Sequence, residues 1–252
     1  VTLLRTVGLT KRFGGVTAVD DLSIELGDVG ITALIGPNGA GKTTAFNLLC
    51  GVLPPSSGTV EFRGRDVTGQ PPHRIAVLGM ARTFQNLELF GDMSVRDNVM
   101  VGAGAHLRGG IVSAALRLPR HRSDERAARE RSDAVLERLG LGDVADRPAS
   151  DLPYGLQRRV ELARALATDP ALLLLDEPMA GLSGGEAAEV AGAVRAIGVP
   201  TLIVEHHVET VMALSDRVLV LNFGRLLADG TPAEVRADPA VVEAYLGAED
   251  AA

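Results

Sequence analysis

Gly36, Pro37, Asn38, Gly39, Ala40, Gly41, Lys42, Thr43 and Thr44 run consecutively, a glycine-rich turn delivered straight into a lysine and two hydroxyl side chains. Gly39 and Gly41 carry no Cβ, so backbone N–H groups there can turn inward and approach phosphate oxygens. A helix expected to open near Gly41 adds the positive end of its dipole. Lys42 has the reach for β- and γ-phosphates, and Thr43 offers a hydroxyl to Mg²⁺. The spacing G-x-x-x-x-G-K-[ST], with a buried strand before it and a helix after, is that of a nucleoside triphosphate cradle. Lys11 is the only other lysine in the chain, which makes a chance lysine at position 42 a poor explanation.

A second cluster follows the apolar run Ala171 to Leu175, where Asp176 and Glu177 stand side by side. Carboxylates at the C-terminal end of a buried parallel strand occupy the place where such sheets collect ligands. Asp176 is suited to hold Mg²⁺ through oxygen, and Glu177 to orient or deprotonate a water attacking the γ-phosphate. A third apolar run, Thr201 to Val204, leads into Glu205, His206 and His207. His206 could donate a hydrogen bond to the γ-phosphate and hold the reacting geometry; His207 has no assigned role.

These groups need a scaffold. Ile31 to Ile35, Ala171 to Leu175 and Thr201 to Val204 do not alternate in polarity, as expected of strands covered on both faces in a parallel sheet. Leu22, Ile24 and Leu26 alternate with polar neighbours, as does Gly58 to Phe62, which predicts an antiparallel edge sheet. Arg217 to Leu221 and Arg225 to Ala228 flank a turn at Asn222 to Gly224 and read as a hairpin. Thr231, Pro232 and Glu234 carry the signature of a helix start. From Val95 to Arg164 the pattern is mainly helical, broken by glycines between 102 and 110. Seven arginines and five acids lie between Arg117 and Arg138, with Ala128, Val135 and Leu139 on one apolar stripe of an otherwise solvated helix.

The bulk properties narrow the class. Over 252 residues the net charge is −7, which argues against binding nucleic acid through a basic surface. Cys50 is the single cysteine, so no intramolecular disulfide or cysteine-rich metal site is expected, and Cys50 reads as a small buried apolar residue. The start, Val1 to Thr10, lacks the pattern of a signal peptide. No apolar stretch reaches the ~20 residues that span a bilayer. The expectation is a peripheral protein of the cytoplasmic face, attached to the membrane only through partners.

Taken in order, the cradle, Gln85, the segment Leu152, Pro153, Tyr154, Gly155, Leu156 and Gln157, the pair Asp176–Glu177 and then His206 resemble the ATP-binding subunits of ABC transporters, nearly end to end. The resemblance implies an α/β fold: a P-loop NTPase core with a mostly parallel sheet, an antiparallel β subdomain and an inserted α-helical subdomain. The core would take residues 1–85 and 166–252 and the helical insertion 86–165, in one ABC ATPase domain. It implies ATP and Mg²⁺ as ligands and transport-coupled ATP hydrolysis as the activity. Phe13 matches the aromatic that stacks on adenine. Gln85 matches the residue that senses Mg²⁺ and γ-phosphate. Gly155 matches the signature glycine that contacts the γ-phosphate held by the opposite subunit.

Arg82, Thr83, Phe84, Gln85 and Asn86 followed by Leu89 and Phe90, the insertion from Val101 to Arg122, Val204 to His207 and the ending Ala244 to Gly247 are similar to the branched-chain amino acid importer branch. That branch implies a second ATPase subunit (a heterodimer, with a homodimer as the alternative), transmembrane permease subunits and, indirectly, a substrate-binding protein. Carriers of urea or short amides, an exporter or lipid flippase, and a soluble non-transport ABC ATPase are the other readings. The surface around Gln85, Leu89, Phe90 and Met93 is where a membrane subunit would dock. Three positions depart from the family pattern. Pro153 stands where the signature serine is usual, with Leu156 in place of its final glutamine, and Ser183 replaces a common aspartate. Proline has neither hydroxyl nor N–H to offer a phosphate.

Overall fold

The computed structural model describes residues 1–83, 87–104 and 119–249. Gln85, Phe84, Asn86 and most of the glycine-rich break fall outside the described residues. The chain divides into two compact units: Val1–Arg82 with Ala171–Glu177 and Gly198–Ala252, and Thr83–Pro170 with Pro178–Ile197.

The first unit carries the sheets. β1 (Thr2–Phe13), β2 (Val16–Leu22), β3 (Glu25–Gly27), β5 (Ser57–Phe62) and β6 (Arg65–Asp66) form an antiparallel sheet in the order β2-β1-β5-β6, with β3 also on β1. β4 (Ile31–Ile35), β7 (Met80–Arg82), β8 (Leu172–Asp176), β9 (Thr201–Val204), β10 (Arg217–Asn222) and β11 (Arg225–Gly230) form a second sheet in the order β11-β10-β4-β9-β8-β7. Only the edge hairpin β10–β11 is antiparallel there. Every residue of β4, β8 and β9 is buried, the consequence of apolar runs without alternation. Leu4, Phe46, Phe62, Leu34 and Leu172 are among the fully buried side chains that weld the two sheets into one core. Cys50 is buried in the same cluster.

The helices of this unit are α1 (Lys42–Leu49) and α2 (Pro72–Val77), and toward the C-terminus α7 (Val208–Leu214), α8 (Pro232–Ala237) and α9 (Pro239–Glu249). α8 begins as its sequence predicts: Thr231 Oγ1 accepts from the Glu234 N–H at 3.3 Å, and Glu234 Oε2 accepts from the Thr231 N–H at 2.8 Å. One expectation needs refinement. Leu22, Ile24 and Leu26 do share a buried face, but they do not lie on one strand. Asp21 sits at φ 55°, and the chain crosses from β2 to β3 at residues 23–24. Thr6 splices the gap, its hydroxyl donating to Leu22 O at 2.9 Å and accepting from the Ile24 N–H at 3.0 Å.

The second unit is helical: α3 (Val95–Ala103), α4 (Pro119–Arg138), α5 (Tyr154–Leu166) and α6 (Gly184–Ala196), with short 3₁₀ turns at Gly142–Val144 and Ala149–Asp151. α4 buries Ala128, Ser132, Val135 and Leu136 on one stripe, continued by Leu139, as its spacing predicts. α3 and α5 approach so closely that a Cβ on Gly102 would lie 2.0 Å from the Arg164 carbonyl oxygen. Asn98, fully buried, donates to the carbonyls of Phe90 and Ser94 at 3.0 Å and accepts from the Phe90 N–H at 2.9 Å, fixing the segment before α3. Phe90 is half exposed; Leu89 and Met93 are half-buried.

Candidate nucleotide site

The cradle hangs between β4 and α1. Gly36 adopts φ 152°, and a Cβ there would lie 2.1 Å from the carbonyl oxygen of Leu221 on β10. Gly41, the N-cap of α1 at φ 98°, would place a Cβ 2.3 Å from the Ala18 carbonyl oxygen on β2. Both positions therefore require glycine, because the loop is pressed against backbone on two sides. No side chain caps the start of α1 and no acid lies in its first turn, so its leading N–H groups keep their capacity for an anion. Lys42 folds back into the loop and donates to the carbonyls of Gly36 at 2.6 Å and Pro37 at 3.0 Å. Burial pushes the Lys42 ammonium below the ordinary lysine pKa, and the negative charge of Glu177 opposes that shift. Thr43 and Asn38 are exposed, Pro37 and Thr44 half-buried, and Ala40 buried beneath the loop.

The acidic side of the site lies on β8 and β9. Asp176 ends β8 with its side chain only 4% exposed, and its Oδ2 is 2.7 Å from Arg82 Nη2 at the end of β7. Glu177 follows at φ 49°, a left-handed backbone that costs energy for a residue with a Cβ. Its N–H donates to the Val204 carbonyl at 2.9 Å, which fixes the turn leaving the strand. Its Oε1 stands 2.6 Å from His206 Nε2, two residues past the end of β9. The structure thus brings Lys42, Asp176, Glu177 and His206 into the same unit, at the C-terminal ends of adjacent parallel strands. A carboxylate in this place can take a proton from water, and the histidine can hold that carboxylate or donate to an oxyanion.

Phe13 closes β1 opposite Val16; the residue is 48% exposed, and Lys11 Nζ lies over its ring 5.1 Å from the centroid. An exposed aromatic in the β subdomain can stack on a base through the face that Lys11 does not cover. Gly155 belongs to the helical unit. Pro153 is the N-cap of α5, and Gln157 Nε2 turns back to the Leu152 carbonyl at 2.8 Å. A Cβ on Gly155 would meet the Cβ of Glu186 at 3.2 Å. Ser183, flagged above as a departure, is the N-cap of α6; its N–H and hydroxyl both donate to Glu186 Oε2, at 3.0 and 2.6 Å. Those bonds hold the Glu186 carboxyl below its ordinary pKa, with a smaller contribution from the Gly155 backbone.

For a hard cation the fit is reasonable. Thr43 supplies a hydroxyl and Asp176 a carboxylate, both oxygen donors. Among the described residues no group of three or more His, Cys, Asp or Glu could hold a metal unaided, so a cation here would complete its shell from phosphate and water.

Three neighbours were not visible as site residues in the sequence. Gly224, in the β10–β11 turn, donates to the Ala40 carbonyl at 2.9 Å and accepts from the Asp20 N–H at 2.9 Å, clamping the cradle to β2. Tyr245 on α9 meets the Gly36 backbone N–H; burial pushes its hydroxyl up to about 12, and that hydrogen bond opposes the shift. Arg82 pairs with Asp176. No sequence spacing signals these contacts, which join segments up to about two hundred residues apart.

Comparison with known proteins agrees with this geometry. Residues 19–180 match the ABC transporter family model, and residues 225–251 match a second model described as branched-chain amino acid ATP-binding cassette transporter. The high-affinity branched-chain amino acid transport ATP-binding protein LivG of Salmonella typhimurium is 45% identical over 249 residues, covering 97% of this chain and 98% of its own length. The corresponding BraF protein of Pseudomonas aeruginosa is 41% identical over the same span. An ATP-binding cassette of an ABC transporter solved in its ADP conformation superposes with a TM-score of 0.83 at 32% identity, covering 98% of this chain and 99% of its own. A nucleotide-free ATP-binding cassette from an ABC transporter gives 0.82 at 32% identity, covering 97% and 99%. With its cradle, its paired carboxylates and a family match over most of its length, this chain belongs to the ABC transporter family.

Proposed function

We propose that this chain is the ATP-hydrolysing subunit that powers uptake of branched-chain or closely related amino acids. The observation that carries the chemistry is the juxtaposition of Glu177 with both Lys42 and His206 at the mouth of the cradle. Support for the cargo comes from LivG and BraF, whose names state branched-chain amino acid transport.

In this reading the N–H groups at the start of α1 and the Lys42 ammonium grip the triphosphate, while Phe13 stacks on adenine. Thr43, Asp176 and Gln85 are the residues that would hold Mg²⁺, which would supply charge neutralisation for the phosphates. Glu177 accepts the proton of the water that attacks the γ-phosphorus, and the bond to the β,γ-bridging oxygen breaks to leave ADP and phosphate. His206 holds Glu177 in line through Nε2 and would donate to the γ-phosphate oxygens only as it releases that carboxylate.

Gly155 serves the ATP of a second ATPase subunit, so each complete site is shared by two chains. Permease subunits receive the motion, and a binding protein delivers the substrate. Among the described residues no helix is long and apolar enough to cross a membrane, which is consistent with attachment to the cytoplasmic face through those permeases.

The reading is tested by co-expressing the chain with the neighbouring permease and ATPase subunits and measuring leucine uptake into vesicles. Uptake should require ATP and be lost in Lys42→Ala. A complex that hydrolyses ATP without moving any branched-chain amino acid would sink the cargo assignment and leave the chemistry standing.

A further inference from the structure

Arg82 ends β7, and its guanidinium lies at a crossing of three elements. Nη2 is 2.7 Å from Asp176 Oδ2, with the two side chains 12% and 4% exposed. Nη1 donates to Asn47 Oδ1 at 2.7 Å and to Cys50 Sγ at 3.0 Å. The guanidinium carbon sits 5.6 Å from the centroid of the Phe46 ring. Phe46 and Asn47 belong to α1, and Cys50 is its C-cap. A single side chain therefore ties the helix that forms the phosphate cradle to the carboxylate proposed to meet the metal.

Such a pair is not an ordinary surface bridge. A buried carboxylate needs a counter-charge and fixed donors, and the planar guanidinium supplies both without rotating freely. The contact is made at Oδ2, so Asp176 can turn only by breaking it. The Arg82 fork is in turn held by Asn47, Cys50 and the Phe46 ring, which fixes the height of Asp176 relative to α1. Groups that orient a metal ligand from behind commonly govern metal affinity about 10–100-fold, although they never touch the ion.

We infer that Arg82 is a positioning residue for the divalent cation: it holds Asp176 in register with the cradle helix before Mg–ATP enters. The inference rests on the reading that Asp176 receives Mg²⁺. A purely structural knitting of β7, α1 and β8 would instead support nucleotide binding with and without metal alike.

The test is a titration of Mg²⁺ at fixed fluorescent ATP analogue, alongside binding of the same analogue in EDTA. It compares the unaltered chain with Arg82→Gln, Arg82→Lys, Asp176→Asn and the double variant Arg82→Gln/Asp176→Asn. Arg82→Gln should raise the Mg²⁺ concentration for half-saturation about 10–100-fold and leave binding in EDTA unchanged. Arg82→Lys, which keeps the charge without the fork, should fall between. In the Asp176→Asn background the arginine substitution should have no further effect on Mg²⁺ dependence. Equal weakening with and without metal, or additivity in the double variant, overturns the proposal. If Arg82→Gln shows no cooperative melting transition, Asn47→Ala replaces it, removing one support of the guanidinium; an effect confined to Mg²⁺-loaded binding is again expected, and an equal effect in EDTA again overturns it. An unaltered chain whose nucleotide affinity ignores Mg²⁺ would refute the metal reading itself, a result distinct from any behaviour of the variants.

Discussion

His206 Nε2 and Glu177 Oε1 stand 2.6 Å apart, joining the loops that leave two neighbouring parallel strands. Glu177 is held on its backbone side by the Val204 carbonyl and by a left-handed φ, and the histidine adds a hold on its carboxylate. Glu177→Gln keeps the shape and removes the proposed base. Turnover should drop by about 100-fold or more while ATP affinity stays near its starting value. His206→Ala should be milder, about 10–100-fold, because it removes one charge-assisted hydrogen bond. Steady-state ATPase rates with the partner subunit present, combined with nucleotide binding, separate the two. Near-normal hydrolysis in Glu177→Gln would strip that residue of its assigned part.

The glycines of the cradle should not be interchangeable. A Cβ at Gly36 runs into the Leu221 carbonyl oxygen and one at Gly41 into that of Ala18, whereas one at Gly39 meets nothing within 4 Å. Gly39→Ala should cost only the strain of its positive φ, about 1–2 kcal/mol, and melt as a folded protein. Gly36→Ala and Gly41→Ala must displace backbone, so both should melt at lower temperature than Gly39→Ala and lose nucleotide binding. Thermal melts of the three variants side by side decide the matter; equal stability would mean the loop yields where the packing says it cannot.

Much of the first unit was legible because its strands announce themselves. Ile31 to Ile35, Ala171 to Leu175 and Thr201 to Val204 are apolar runs each followed at once by residues with chemistry, and the structure sets their strands side by side and parallel in one sheet. The α8 start and the apolar stripe of α4 followed from local rules of capping and periodicity. What stayed hidden has one physical cause. β7 is three residues long, too short to show a period, so nothing in its sequence hinted that Arg82 reaches Asp176, 94 positions away. Gly224 acts through its backbone at a positive φ and Tyr245 through a hydroxyl on the Gly36 backbone, and neither contact follows from a local sequence pattern. The helical unit was harder still, since Asn98 and the Arg158–Glu161 pair are polar residues whose burial depends on tertiary partners that no local pattern shows.

Acid should weaken the fold through three carboxylates whose pKa values lie below their ordinary ones. Asp66 is held by the Thr68 hydroxyl and backbone, Glu186 by the Ser183 hydroxyl and backbone, and Glu234 by the Thr231 backbone and hydroxyl. A folded-state value below the unfolded one means the unfolded chain binds more protons in that interval, so stability rises with pH there. The contribution is complete above the ordinary glutamate value of 4.5 and is lost as pH falls through the depressed folded values. Glu234→Gln should lower the urea midpoint at pH 7 and flatten its decline below pH 4.5. Thr231→Ala, which removes the cap itself, should cost about 1 kcal/mol at neutral pH. An unchanged acid slope in Glu234→Gln would show that the box contributes nothing to the pH dependence.

Pro153 carries the last prediction, which concerns asymmetry between two sites. It is the N-cap of α5, and its ring nitrogen has no proton to give. Serine is among the preferred N-caps, so Pro153→Ser should firm up the helix start by about 0.5–1 kcal/mol. It also restores a hydroxyl and an N–H beside Gly155. Under the shared-site arrangement those donors would face the ATP held by the partner ATPase, not the ATP in this chain's own cradle. One added hydrogen bond changes a rate by roughly 2- to 10-fold. Hydrolysis is therefore measured in two complexes, one with Glu177→Gln in this chain and one with the partner's corresponding glutamate disabled. The substitution should alter turnover in the first complex, where only the partner's site is active, and leave the second unchanged. Equal responses in the two complexes would mean that the proline does not distinguish the sites, and that the signature of this chain acts through the fold as a whole.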